Sequence, residues 1–292
     1  MKDNYLWVYT YIIIMADISV STNETIEITF SITDNGELND IIKIKTENKE
    51  FGDYDFKNVE KFTWTPTDDD VGTHTFEVNG EEISIEVNEI PDALTNQWPA
   101  NEGSGTTHSD IINSKDGTIN GPNWQSLEDA VGGNYLLYDG TRDITSLPDG
   151  TFSYIDSSDF TFTAIVRVDN ISGQHTMLAY GDIDWVISEG RLRFVKHDTN
   201  SYNTDITVTE GDWVFVAVRY NQSTEEMKFT INDQEETANL TITAGASSTA
   251  QFGETILRND RYFEGGMDEI TSSDSYLSDN DINSLKKRRS DI

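Results

Sequence analysis

Cysteine is absent from all 292 residues, so disulfides and thiolate metal sites are closed to this chain. Basic residues are scarce: 20 Lys plus Arg stand against 53 Asp plus Glu, a formal charge of -33 at pH 7. That balance excludes nucleic acid and an anionic membrane surface as main partners. The four histidines, His74, His108, His175 and His197, are too scattered for a zinc site read by spacing. Long apolar runs are missing as well. The stretch "WVYTYIIIM", residues 7–15, is about half of the ~20 residues needed to span a bilayer, so no membrane insertion is expected. Neither a heptad pattern nor a collagen-like repeat enforces an oligomer, and a homo-oligomer stays open.

What is abundant is acid, spread along the whole chain instead of gathered in one tail. Such a pattern fits the solvated carboxylate surface of a halophile, where high salt screens self-repulsion. Runs such as Asp68-Asp69-Asp70 sit at expected turns. Met15 opens "MADISVSTNET", which reads as the start of a folded domain, and residues 1–15 are expected to be an extension or an upstream start. They lack the basic n-region and small-residue cleavage site of an export signal.

From 16 to 90 the chain alternates apolar and polar residues in short stretches, among them "TIEITFSI", "IIKIKTEN", "GTHTFEVN" and "EEISIEVNE". Period-2 patterning between Asn, Asp and Gly turns predicts a small β-sandwich. The segment "FTWTPTDDDVGTHTFEV", 62–78, resembles bacterial and archaeal immunoglobulin-like (cadherin-like) repeats, although His74 stands where an aromatic is commoner. The resemblance implies a core role for Trp64 and a turn shaped by Pro66 and Gly72. Residues 91–97 read as a linker, with Pro91 stopping the last strand.

A second domain is expected over 98–292. "FTFTAIVRV", 160–168, puts Phe160, Phe162, Ala164, Val166 and Val168 on one face, and "WVFVAVRY", 213–220, is apolar on both faces near its middle, as a central sandwich strand would be. One short helix is predicted over 277–289, capped by Ser278 and ending in Lys286, Lys287, Arg288 and Arg289, where the helix dipole favours cations. The order of "WPANEGSGTTHSD" (98–110), "NYLLYDGTRDITSL" (134–147), the two strands above and "FEGGMDEITSSDSYLSDNDINSL" (263–285) is similar to laminin G-like, concanavalin A-like jelly rolls. The fold expected is therefore all-β: an immunoglobulin-like sandwich, then a jelly-roll sandwich with a short C-terminal helix.

That resemblance implies a structural calcium ion held by hard oxygens, with Glu102, Asp110, Asp139 and Asp268 as candidates; the same acids would equally satisfy turn N–H groups. Glycosidases of this fold class use paired carboxylates, but the E-x-D-x-x-E run is absent and Asp182 and Asp184 in "GDIDW" are the nearest approach. The expectation is a protein that is not an enzyme. Sugar recognition needs aromatics beside amides and charges, which nominates His197, Asn200, Tyr202 and Asn203 in one stretch and Arg258, Arg261 and Tyr262 in another. The expected role is adhesion, with a host-cell glycan or surface protein as partner and other virion proteins as further partners. The expected place is the exterior of a virion of a halophile virus; the alternatives are a secreted or cell-surface adhesin of a halophilic microbe and a glycan-cleaving enzyme of the concanavalin A-like class.

Overall fold

The computed structural model describes the strands within residues 18–88 at the level of the backbone, and residues 91–286 apart from 127–133, 198–199, 243–248 and 259. Residues 1–15, Pro66, the side chains of Trp64 and His74, and the end of the basic run at 287–289 lie outside that description. The chain divides into two units, Met1–Glu89 and Ile90–Ile292.

In the first unit the described strands are β1 (Ile18–Ser21), β2 (Ile26–Phe30), β3 (Ile41–Lys45), β4 (Glu50–Asp55), β5 (Glu60–Trp64), β6 (Gly72–Val78) and β7 (Glu81–Asn88). Strand β7 lies between β1, to which it is parallel, and β6, with which it forms a tight hairpin. Antiparallel pairs β2–β5 and β3–β4 complete the described strands. The "EFGDYD" strand, β4, lacks clean alternation, which is why periodicity passed over it.

The second unit opens with β8 (Asn96–Trp98), β9 (Thr107–His108), β10 (Gly117–Asn120), β11 (Asn123–Ser126), β12 (Asn134–Asp139) and β13 (Ile144–Leu147). There follow β14 (Phe160–Val168), β15 (Gln174–Tyr180), β16 (Ile183–Ser188), β17 (Arg191–Lys196), β18 (Asn200–Thr207), β19 (Trp213–Asn221), β20 (Glu226–Ile231), β21 (Gln234–Asn239), β22 (Ala250–Phe252), β23 (Glu264–Ser273) and the helix α1 (Asp279–Lys286). Two large sheets result. One runs β18-β17-β16-β15-β22-β13-β10-β9; the other runs β11-β12-β23-β14-β19-β20-β21, with β8 added beside β23. No described helix is long and apolar enough to cross a membrane.

Alternation decides what fills the space between the sheets. Phe160, Phe162, Ala164, Val166 and Val168 of β14 join Val214, Val216, Val218 and Tyr220 of β19 in the main core, against Leu178, Trp185, Leu192 and Phe194 of the other sheet. The opposite face of β19 is apolar too. Phe215 and Ala217, with Ile165 of β14, pack under Leu277, Ile282 and Leu285, so the helix covers the outside of this sheet. Ser278 caps α1 as its sequence implied: its Oγ and N–H meet Asp281 Oδ2, and the Asp281 N–H returns to Ser278 Oγ. Arg219 ties the helix start to the sheet; it is 1% exposed and donates to Leu277 O and to Asp279.

Trp98 explains why an aromatic stands at the start of this unit. Its ring is fully buried beside Phe152 and Phe252, and its Nε1–H donates to Lys115 O. Close strand approach governs β23: a Cβ at Gly265, whose φ is +142°, would lie 1.9 Å from Arg167 O.

Candidate functional site

With α1 over one outer face, the other sheet is left with a polar exterior. The same alternation that sends Trp185, Ile187, Leu192 and Phe194 inward turns Asp184 and Val186 of β16 and Arg191, Arg193 and Val195 of β17 outward. Register then sets these side chains in rows. Asn203, Arg193, Val186 and Thr176 stand side by side across β18, β17, β16 and β15, and Ser201, Val195, Asp184, Ala179 and Gln251 form the next row, ending on β22.

Asp184, at the centre of the second row, is fully buried although it faces away from the core. Two of the groups over it come from distant sequence. His197 donates from Nε2 to Asp184 Oδ2 at 2.7 Å, and Arg261 Nη1 lies 3.6 Å from the same oxygen. Arg261 is delivered by the segment 253–263, whose ends are pinned together by Phe263 N–H on Gly253 O and by the Glu254–Tyr262 bridge. That segment is also stitched to β15, through Thr176 N–H on Arg261 O and the His175 ring on Tyr262 O. Beside this group Lys196 pairs with Asp182.

The cluster is incompletely satisfied. Asp184 Oδ1, Thr176 Oγ1, Thr255 Oγ1, Arg193 Nε and Arg261 Nη1 are buried atoms without a hydrogen-bond partner among the described residues. A buried polar group without a partner costs about 1–3 kcal/mol, which makes the grouping of Asp184, Thr176, Arg193 and Arg261 on one face a candidate site. Arg193 carries the clearest electrostatic signature. Burial, and then the nearby charge of Arg261, hold its guanidinium below the usual range.

The nominated sugar-contacting residues divide. His197 and Arg261, 64 positions apart in sequence, meet at Asp184, and Asn203 is exposed one strand from Arg193. Tyr202 points the other way: its ring stacks on Phe229 at 5.6 Å and its hydroxyl donates to Glu236, which pushes its pKa up to about 12. Asn200 is exposed at the start of β18 opposite Lys196, Arg258 is exposed in the 253–263 segment, and Tyr262 is half-buried with its backbone tied to Glu254. Arg193 and Thr176 went unnominated, yet the alternation in "RLRFVK" already turned Arg193 outward.

The four calcium candidates occupy separate settings. Asp110 accepts from Asn96 Nδ2 and from the N–H groups of Gln97, Ile112, Asn113 and Lys115, so it organises a turn with both oxygens. Glu102 accepts from Ser109 N–H, Asp139 from Thr141, and Asp268 from Glu269 N–H. Among the described residues no three His, Asp or Glu side chains are grouped to hold a cation.

Known proteins resemble this fold. Residues 139–283 match the Laminin_G_3 family model, described as the concanavalin A-like lectin/glucanases superfamily. The second unit thus resembles the concanavalin A-like jelly rolls, with residues 139–283 carrying the match. No curated protein matches the chain. Among solved structures, a Trypanosoma rangeli sialidase in complex with sialic acid is similar at 13% identity and TM-score 0.53, covering 67% of this chain and 33% of the sialidase. Domain 4 of AbnA, a GH43 extracellular arabinanase from Geobacillus stearothermophilus solved with arabinotriose, is similar at 15% identity and TM-score 0.52, covering 66% of this chain and 98% of that domain. The binding domain of botulinum neurotoxin DC, in complex with rat synaptotagmin II, is similar at 16% identity and TM-score 0.51, covering 68% of this chain and 52% of that one. This chain spans about a third of the sialidase it matches.

These findings correct the expectation that the protein is not an enzyme. Sialidases and a domain of an arabinanase share its fold, in a superfamily described by glucanases as well as lectins. The physical reason is plain: a missing E-x-D-x-x-E run excludes carboxylates paired along one strand, whereas a fold can bring acid and base together from separate elements, as it brings His197 and Arg261 to Asp184.

Proposed function

We propose that the second unit recognises an oligosaccharide on the outer face of β15–β18, beside the segment 253–263. The observation that carries this reading is the group of buried polar atoms of Asp184, Thr176, Arg193 and Arg261 that lack a hydrogen-bond partner among the described residues. Sugars present many hydroxyls, each a donor and an acceptor, and such atoms are what hydroxyls satisfy. Asn203 and Ser201 are exposed at the border of this face, and Arg193 and Arg261 are half-buried on it. Asp184 lies beneath and positions His197 and Arg261. Support comes from the arabinanase domain, matched over nearly its whole length and solved with arabinotriose. On this reading the first unit is an immunoglobulin-like spacer that presents the lectin-like unit at a cell or particle exterior.

Glycan cleavage is a second reading, favoured by the sialidase likeness and by a buried carboxylate in contact with an imidazole, the pairing a general acid–base mechanism uses. One experiment separates the two. The full-length protein is incubated with a panel of polysaccharides, and both retention and release of reducing ends are recorded. Retention without new reducing ends supports recognition, and release that is lost in Asp184→Asn supports cleavage. The absence of both refutes a glycan site.

A further inference from the structure

We infer that the ligand of this face is an acidic sugar, whose anionic group sits between Arg193 and Arg261. The inference rests on the glycan-binding reading and names the class of glycan. Its basis is a charge imbalance. The chain carries 53 acids and 20 bases, so a cationic side chain would be expected to find a carboxylate almost anywhere. Arg191 pairs with Asp205, Arg167 with Asp169, Arg219 with Glu235 and Asp279, and Lys228 with the same two acids. Arg142 and Arg258 also lack an ion pair among the described residues, but both are exposed; Arg193 departs from the rule while half-buried. It makes no ion pair and no side-chain hydrogen bond among the described residues, and its Nε is buried and unpartnered.

Its neighbour worsens the imbalance. Arg261 comes close enough for its charge to depress the Arg193 guanidinium, and Asp184, the carboxylate that Arg261 faces, is already shared with His197. Arg193 beside Arg261, with no carboxylate of its own among the described residues, leaves a positive spot on a strongly negative molecule. Like charges held together on a partly desolvated face raise the energy of the free protein, and an anion between them removes that cost. A guanidinium presents parallel N–H donors that match a carboxylate or a sulfate ester in bidentate fashion. Asn203, exposed and paired with Arg193 across β17 and β18, stands beside it for ring hydroxyls.

The specificity is also selective against free polyanions. The overall charge of -33 repels any long acidic chain, so the site needs both the anionic group and the neutral hydroxyl contacts, and short oligosaccharides at moderate salt are the right probes.

The test is calorimetric titration of the full-length protein in about 0.15 M NaCl, where charges beyond ~8 Å are screened, with tri-galacturonate, a κ-carrageenan oligosaccharide and arabinotriose. These carry a carboxylate, a sulfate ester and no charge. Arg193→Gln removes the positive charge without breaking any bond within the protein, so its melting temperature should equal or exceed that of the parent. The expected result is binding of an acidic oligosaccharide that weakens at least tenfold in Arg193→Gln, is partly kept in Arg193→Lys, and exceeds binding of arabinotriose at least tenfold. Preference between the two acidic probes identifies the anionic group. Equal or stronger binding of arabinotriose, unaffected by Arg193→Gln, overturns the acidic-sugar inference and leaves the glycan reading standing. No binding of any of the three, together with no retention on the polysaccharide panel, overturns both.

Discussion

Acid should destabilise this protein through one histidine that no ligand touches. His108, on β9, is fully buried, with its ring edge-on to Trp124 at 6.2 Å and to Phe252 at 6.3 Å. Neither ring nitrogen makes a hydrogen bond of good geometry among the described residues; the Trp98 backbone offers the ring a weak one. Burial lowers its pKa from 6.5 to about 4, against a small opposing pull from the Trp98 backbone. Because the folded pKa lies below the unfolded one, the neutral ring's contribution is complete above pH 6.5 and is lost as the pH falls toward 4. At pH 4.5 the loss amounts to about 2.5 kcal/mol, from 1.36 kcal/mol per pH unit over the interval between the two values. The assay is urea unfolding of the full chain at pH 7.5 and 4.5, followed by tryptophan fluorescence, for the parent and for His108→Phe and His108→Gln. Carboxylates titrate alike in all three proteins, so the difference of differences isolates His108. The parent should lose about 2 kcal/mol more than either variant between the two pH values. Equal losses, or a His108 pKa near 6.5 by NMR, would refute the reasoning.

Three further outcomes follow from the same geometry. Asp184→Ala should lower stability by about 3 kcal/mol in urea, because it strands Arg261 and His197 without their shared acceptor; a change under about 0.5 kcal/mol would mean that these groups are held elsewhere. Gly265→Ala forces a Cβ to 1.9 Å from Arg167 O at φ +142°, so it should abolish folding of the second unit or cost at least about 3 kcal/mol, read from its melting transition. Asp110→Ala should lower the melting temperature by several degrees with or without EDTA, because its two oxygens hold five donors of the turn; a loss seen only without EDTA would assign the role to calcium.

The fold was legible wherever a strand's two faces differ or are both apolar. "FTFTAIVRV" and "WVFVAVRY" announced β14 and β19, and Phe215 and Ala217 on the second face of β19 are apolar because α1 covers them. The helix itself was legible from its cap, since Ser278 and Asp281 interact locally. Strand order was another matter. Placing β22 between β15 and β13, and β23 between β12 and β14, requires pairing over long separations, and no local pattern encodes which partner a strand will choose. Three-residue β22 falls below the length at which alternation can be read at all.

The site was legible only in fragments, for an electrostatic reason. In a chain with 53 acids the composition of any short stretch carries little information, so the Asp182–Asp184 pair does not stand out in sequence. What sets Asp184 apart is that it is buried on an outward face, and burial there arises from His197 and Arg261 arriving over it. Tyr202 shows the converse error. Chosen as an exposed aromatic, it alternates inward with Phe194 as its strand partner and closes the core against Phe229, while its neighbour Asn203 faces the polar side. One step of register therefore separates a core-closing residue from an outward-facing one. Arg193 was the most informative basic residue and the least conspicuous in sequence, because its distinction is the acid it lacks. A missing partner is a property of three-dimensional neighbours, and it becomes visible only when those neighbours are set in place.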